Sequence, residues 1–429
     1  MESVVQSPVQ PTRVVIVGGG FAGIAAARAL VGSRAQVTII DQHNYHTFLP
    51  LLYQVATAGL EPADIAYPIR TIFRRAENFT FRHGRVVGIN HERSVVLLAS
   101  GGEIPFEQLV IASGATAAYF SVPGAEVHAR PLYSLADARR LRNHLLLTLE
   151  AADARGVLDD TPLNFVVVGG GPTGVEIAGA ISELLDISVR RDRLRLHPDL
   201  TRIILVDLAP RLLTAFPASA GAYAARILSE KGVEVRLNRS VTQVERDRLL
   251  LSDGEILPAA AVIWAAGVTV QGTVAATLGE SSTGNGRRRV GRDLRVVGYD
   301  NVWAIGDAAA VLSGEDMQLA PQLAPVAIQS GRHCGRQITN LLAGRPTEDF
   351  RYRNKGIMAT IGRNAAVAKL PNGPVIRGVV GWLAWLTLHL VYLVGFRNRL
   401  RVLINWTWRY FDWPSGPRLI VADAETTEQ

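Results

Sequence analysis

"VVVGGGPTGVEIAGAI", residues 166–181, decides the fold, because it repeats the "VVIVGGGFAGIAAARAL" of residues 14–30. In both, a β-branched run ends in glycines spaced G-x-G-x-x-G and passes into a helical pattern rich in small residues. In the first copy Gly18 makes the tight turn, Gly20 lets a pyrophosphate approach the backbone, and Gly23 lets helix pack on strand. The helix N-terminus then offers oriented N–H groups to the phosphates. A second strand, "VTII", closes with Asp41, an acceptor for a ribose hydroxyl. Strand, turn, helix, strand and acid in that order predict a dinucleotide site.

The second copy sets Gly169, Gly171 and Gly174, and its acid is Asp207, 38 residues after Gly169 at the end of "IILV". A carboxylate there repels a 2′-phosphate and favours NADH over NADPH, although Arg211 stands nearby and pulls the other way. Two shorter echoes follow the modules. "LVIASGA" (109–115) and "VIWAAGV" (262–268) read as buried strands ending in small-residue turns, placing Gly114 and Gly267 where backbone lies close to a nucleotide. "NVWAIGDAAA" puts Asp307 at the start of an expected helix, within reach of a ribityl chain or phosphate, or as a plain helix cap.

The 429 residues suffice for two or three domains. A single cysteine, Cys334, excludes an intrachain disulfide and a CxxC redox pair. The stretch "MESVVQSPVQPTR" has no apolar core and is not expected to be a secretory signal. From Arg351 onward, eleven basic against four acidic residues account for the whole formal charge of +7. Five of the seven tryptophans (Trp382, Trp385, Trp406, Trp408, Trp413) share that region. Basic charge with interfacial aromatics points to a membrane surface rather than nucleic acid. His43 and His46 follow Asp41 without metal-ligand spacing, and no metal site is expected.

The order of these elements resembles the two-dinucleotide-binding-domain flavoproteins, in which the first module and the "WAIGDAA" segment hold FAD and the inserted module holds NAD(P)H. Disulfide reductases and sulfide:quinone reductases of that group need a cysteine pair, which Cys334 alone does not provide. Four stretches resemble the type II, non-proton-pumping NADH:quinone oxidoreductases. "DQHNYHTFLPLLYQVATAGL" (41–60) is similar to the segment that wraps the flavin, and "GGGPTGVEIAGAI" with Glu176 to the NADH module. "FRYRNKGIMATIGRNAAVA" (350–368) matches the start of the family's third region, and "WLAWLTLHLVYLVGFRNRL" its membrane-associating end.

The resemblance implies an α/β fold of two Rossmann-like domains plus a C-terminal membrane-associating helical region. The expected boundaries are 12–120 with 290–345 for FAD, 121–289 for NADH, and 346–429 for the tail, with anchoring helices over about 376–413. It implies FAD at Gly18, Gly20, Gly23, Asp41, His46, Gly114, Asp307 and Ala324, and NADH at Gly169, Gly171, Gly174, Asp207 and Gly267. Glu176 is expected near the nicotinamide, holding the carboxamide or relaying protons; the bland reading is an acid stabilised by the helix dipole. Gln329 is expected to contact the quinone, or to be a polar helix residue; Lys355, in "YRNKG", matches a family lysine and is expected at the catalytic site, or as a solvated loop charge. The implied reaction takes a hydride from NADH to the flavin and two electrons on to a membrane quinone. A homodimer on the cytoplasmic face of the cell membrane is implied too. One departure stands out: the family's Ala-Gln-x-Ala-x-Gln reads "APVAIQ" here (324–329). Gln329 keeps the second glutamine, but Pro325, comfortable in a first helical turn, replaces the first. Proline has no side-chain donor for a quinone carbonyl, and Gln322 is the expected stand-in. A ferredoxin- or rubredoxin-type reductase shares the two modules but lacks a Trp-rich tail. A redox sensor would hold both nucleotides without turnover.

Residues 378–396 contain no Asp, Glu, Lys or Arg over nineteen positions. As one helix they would run about 28 Å, close to a bilayer's hydrocarbon thickness. Yet Trp382, Trp385, His389, Tyr392 and Phe396 recur at 3, 4, 3, 4 spacing as one stripe, and Arg397, Arg399, Arg401 and Arg409 follow at once. A monotopic segment lying in the interface is expected, not a span.

Overall fold

In the computed structural model, which describes residues 10–197, 199–270, 282–283, 285–313, 318–410 and 418–421, both β-branched runs are central strands. Chain packing divides the described residues into two units, one from 1–46, 67–116 and 268–354, the other from 47–66, 117–267 and 355–429.

The first unit is built on a five-stranded parallel sheet ordered Val302–Ala304, Gln108–Ile111, Thr12–Val17, Ala35–Asp41, Phe79–His83. The register pairs Val14 with Val37 and Val17 with Ile40. Strands covered on both faces read as continuous apolar runs, and Val14, Ile16, Ile39 and Ile40 are all fully buried, each worth about 2 kcal/mol of transfer energy. The helix Ala324–Leu342 lies so close on Phe21–Leu30 that Gly331 and Gly335 sit against the carbonyls of Ala22 and Ala26.

The second unit repeats the plan. Its parallel sheet runs Arg130–Pro131, Ala261–Trp264, Leu163–Val168, Thr201–Val206, Val233–Arg236, and Phe165, Val166 and Val167 are buried in the middle strand. Each unit also carries a three-stranded antiparallel meander, Val86–Asn90 to Glu103–Pro105 in one and Val241–Val244 to Ile256–Pro258 in the other. The echoed segments are equivalent strands, Gln108–Ile111 and Ala261–Trp264, each beside a glycine strand.

Two expectations need correction. Asp307 opens no helix: Gly306–Ala308 is a single 3-10 turn, after which Ala309–Ala310 pairs as a strand with Arg288–Arg289. Residues 378–396 are not one helix either. Gly378–Tyr392 stops at the turn of 393–395, where Gly395 takes φ +89°, and Phe396–Tyr410 starts a second helix. Among the described residues no helix is long and apolar enough to cross a membrane.

The aromatic stripe also splits. Trp385 is buried, whereas Tyr392 and Phe396 are exposed beside the aliphatic Val379, Val380, Leu383 and Val391. The second helix is amphipathic in an inverted sense. Asn398 and Val402 face inward, and Leu400, Leu403, Ile404, Arg397 and Arg401 face out. The Asn398 side chain donates to the carbonyls of Ala63 and Ala66 (3.3 and 3.1 Å), and the Asn405 amide donates to the Asp64 carboxylate (3.0 Å). The two Asn398 bonds satisfy carbonyls at the end of Pro62–Ile65, a helix with too few residues to satisfy itself, and the Asn405 bond holds the acid that caps its start. The side chains of Trp408 and Arg409, and all of Trp413, lie outside the described residues.

Candidate functional site

In the first unit Gly18 has φ +109°, and a Cβ there would stand 2.3 Å from the Ala112 carbonyl oxygen; a Cβ on Gly23 would come 1.9 Å from the Gly18 oxygen. Gly20, by contrast, faces open space with nothing within 4 Å, at a helix start with no side-chain cap and no acid in its first turn. The second unit reproduces this. Gly169 has φ +110°, a Cβ on Gly174 would stand 1.7 Å from the Gly169 oxygen, and Gly171 faces open space above an uncapped helix start. Two bare cradles of N–H groups suit two pyrophosphates.

The two acids have twin environments. Asp41 accepts from the Gly19 N–H (2.6 Å) with one oxygen and from the His43 N–H (2.7 Å) with the other. Asp207 accepts from Gly170 with one oxygen and from Ala209 (2.6 Å) with the other. Each carboxylate thus braces its glycine loop and keeps further lone pairs for a ribose hydroxyl. Arg211 spends its guanidinium on the carbonyls of Phe216 and Thr214 (2.7 and 2.8 Å), which removes it as a natural partner for a 2′-phosphate.

His46 is buried, and its Nδ1–H donates to the Gly19 carbonyl at 3.1 Å; burial pushes its pKa down to about 4, so it braces the first loop as a neutral ring. Gly114 turns with φ +70°. Gly306 lies against Ala22, and the Asp307 carbonyl accepts from the Gln322 amide (3.3 Å). Ala324 opens its helix with Pro325 in the first turn. Gln329 pairs both ends of its amide with the backbone of Arg353 (2.9 and 3.0 Å), and Lys355 is exposed. The residues of the first cradle fit a flavin dinucleotide: phosphate donors without caps, a bracing acid, and no side chain filling the space at Gly20.

Glu176 is the fifth residue of its helix, beyond the reach of the first-turn dipole. Its carboxyl accepts from the Thr360 N–H (3.2 Å) and is hydrogen-bonded by the Trp385 side chain. Although the residue keeps some exposure, its carboxyl is walled in, and burial pushes its pKa up to about 8 against those two bonds. Trp385 stacks on His389 at 4.0 Å, and burial lowers the His389 pKa to about 4. Beside them lies a cavity of about 80 Å³ lined by Tyr53, Gln54, Thr360, Trp382, Trp385 and Trp406. The Trp406 indole donates to Gln54 (2.8 Å), which donates to the Tyr53 hydroxyl (2.8 Å). Glu183 and Arg363 also line the cavity, and Glu176 reaches it only through Thr360 and Trp385, which share its wall. On its aromatic side the pocket suits a flat ligand, with a protonated acid and a neutral imidazole one side chain away at neutral pH. Sequence reasoning missed Thr360, Trp385 as an inward residue, and Gln54. The sequence does carry one unread sign of the second helix's inward side, Asn398 and Asn405, seven positions apart. Among the described residues no three His, Cys, Asp or Glu side chains gather as a metal site.

Comparison with known proteins follows the same division. The family described as pyridine nucleotide-disulphide oxidoreductase matches residues 12–331, and the NDH2 C-terminal domain matches residues 354–412. The chain is 36 % identical to the type II NADH:quinone oxidoreductase Ndh of Mycobacterium tuberculosis, over 97 % of this chain and 92 % of that protein. It is 30 % identical to the internal alternative NAD(P)H-ubiquinone oxidoreductase A1 of Solanum tuberosum mitochondria, over 92 % and 86 %. In fold it is similar to the NDH2 of Plasmodium falciparum solved with NADH: TM-score 0.85 at 18 % identity, over 96 % of this chain and all of that one.

Proposed function

We infer the activity from one premise: this chain belongs to the type II NADH:quinone oxidoreductase family. It oxidises NADH and reduces a quinone by two electrons, without pumping protons, and FAD and NADH are its nucleotides. When bound in the first cradle, FAD supplies the redox relay between the two substrates. Everything else falls to the chain's own residues. Gly18, Gly20, Gly23, Asp41, His46, Gly114, Asp307 and Ala324 are assigned to FAD; Gly169, Gly171, Gly174, Asp207 and Gly267 are assigned to NADH. The duplicated cradles and their twin carboxylates support both assignments.

Reduction of a quinone to a quinol takes a hydride equivalent and one further proton. We assign that proton to Glu176, supported by its raised pKa and its place beside the tryptophan-lined cavity. Gln329 is assigned to the quinone end and Lys355 to the catalytic site. Gln329 grips the backbone at Arg353, two residues before Lys355. The single observation that carries the acceptor is the pocket of Trp382, Trp385 and Trp406, built from the same helices that turn their aliphatic side outward. An anaerobic titration tests it. The flavin should bleach with NADH and recover with a short-chain ubiquinone. Bleaching without recovery removes the quinone assignment and leaves the nucleotide sites standing.

Peripheral attachment to the cytoplasmic face of the cell membrane is assigned to the outward side of the two C-terminal helices, with Arg397 and Arg401 beside anionic lipid. Part of that apolar face is assigned to a second copy of the chain. Leu400, Leu403 and Ile404 are each about half exposed. Burying them in lipid contributes about 1 kcal/mol apiece, so replacing all three by glutamate shifts the membrane partition by about a hundredfold or more. The triple variant should appear in the soluble fraction after a high-salt wash, with flavin retained, while the parent protein stays with the membrane. Release of the parent by salt alone would remove the apolar anchor.

A further inference from the structure

The segment Tyr119 to Val122 closes a turn through a bond from the Val122 N–H to the Tyr119 carbonyl (2.9 Å). Both central residues have positive φ, +50° at Phe120 and +57° at Ser121. Turns of that kind belong to glycine, asparagine and aspartate, and a phenylalanine there is strained. The strain gains no burial, because the Phe120 side chain is left 66 % exposed. A single exposed aromatic carries no message by itself. Strain without a packing return, held by its surroundings, does.

The surroundings hold it firmly. The Ala118 N–H donates to the Gly267 carbonyl (3.0 Å), and the buried Trp264 indole donates to the Ala118 carbonyl (2.7 Å). Tyr119 packs on the Trp264 ring at 5.7 Å. Phe120 is thereby laid over Gly267, where a Cβ would stand 2.8 Å from the Phe120 Cζ. Gly267 ends the turn that follows Ala261–Trp264. The same turn touches the second glycine cradle, since a Cβ on Gly169 would meet the Ala265 oxygen at 2.6 Å. The ring therefore stands at the carboxyl edge of the parallel sheet, beside the pyrophosphate cradle, with its Cζ end over Gly267 and most of its surface exposed. In folds of this kind that edge is where the nucleotide lies.

We propose that Phe120 is the wall against which the nicotinamide half of NADH packs, held in place by its strained turn. The assignment rests on the reading of the second turn as the NADH site. A largely exposed aromatic ring suits a flat heterocycle, and a ring fixed by the backbone loses little freedom when the ligand arrives. The adenine half, on the Asp207 side of the cradle, should be indifferent to it.

The test measures binding of NAD⁺ and of AMP to the flavin-loaded protein. Phe120→Ala should weaken NAD⁺ by about three- to tenfold, as loss of one aromatic contact does, with AMP affinity and flavin content unchanged. Phe120→Tyr should bind both as the parent does. Phe120→Gly separates strain from collapse: glycine accepts positive φ, so the melting temperature should hold or rise while NAD⁺ affinity falls as in the alanine variant. Unchanged NAD⁺ affinity in Phe120→Ala overturns the proposal. So does an equal loss of AMP, or a loss of flavin, which would give the ring to the other nucleotide. If the parent protein itself binds neither AMP nor NAD⁺, the reading of the second turn fails instead.

Discussion

The Gly174→Ala variant is expected to lose flavin reduction by NADH by about a hundredfold or more while keeping its FAD. One methyl does this because it has nowhere to go. It would stand 1.7 Å from the Gly169 carbonyl oxygen, which is backbone, and Gly169 is itself wedged against the Ala265 carbonyl with φ +110°. The helix must therefore lift from the strand, and the N–H groups at its start swing away from the pyrophosphate. The damage is confined to the second unit, whose sheet forms without the residues of the first. Flavin reduced chemically should still be reoxidised by quinone, more slowly to the extent that Glu176, two residues on in the same helix, moves with it. The reciprocal change, Gly23→Ala, puts a methyl 1.9 Å from the Gly18 oxygen and should yield a protein that binds NAD⁺ but no FAD. Rapid-mixing absorbance and flavin content read both. If Gly174→Ala sheds flavin and Gly23→Ala keeps it, the two turns hold the opposite nucleotides.

Both turns were legible in sequence because their constraint is local: five or six consecutive residues must satisfy one backbone path, and only glycine does so at Gly18, Gly23, Gly169 and Gly174. The echoed strands at 109–115 and 262–268 were legible for a similar reason, as buried parallel strands read as unbroken apolar runs. What failed was facing. Gly378–Tyr392 is apolar nearly all round, so its periodicity does not say which side meets protein, and the conspicuous aromatics turned out to include the inward residue Trp385. Phe396–Tyr410 deceived in the other direction. Its polar residues face the protein because Asn398 and Asn405 meet groups more than 330 positions earlier in the chain, a pairing no local pattern encodes. Asp307 was placed on a helix by the strand-acid-alanine pattern alone. The Gly306 turn (φ +62°) and the pairing of Ala309–Ala310 with Arg288–Arg289 override the alanines' helix propensity.

Glu176→Gln should separate the two half-reactions. Burial is the main cause of the raised pKa of Glu176, about 8, and the Thr360 and Trp385 donors oppose it. Below that value the group is a carboxylic acid with a proton to give, and above it a carboxylate with none. The parent's quinone step should therefore be flat at neutral pH and fall as pH rises through about 8. In Glu176→Gln that step should drop by about a hundredfold or more and lose this pH dependence, whereas bleaching of the flavin by NADH should be little changed. A raised KM for NADH with an intact quinone step would place the side chain on the carboxamide instead.

Stability gives an independent check with a definite sign. The folded chain holds this proton where the unfolded chain, titrating near 4.5, has released it. The group's contribution is thus fully present below about 4.5 and is lost as pH rises through about 8, a change on the order of a few kcal/mol. Glutamine has no proton to lose, so parent and variant should melt together at pH 5, and the variant should melt several degrees higher at pH 9. Parallel melting curves across that range would mean the carboxyl is solvated, and with that the case for Glu176 as the proton donor would fall.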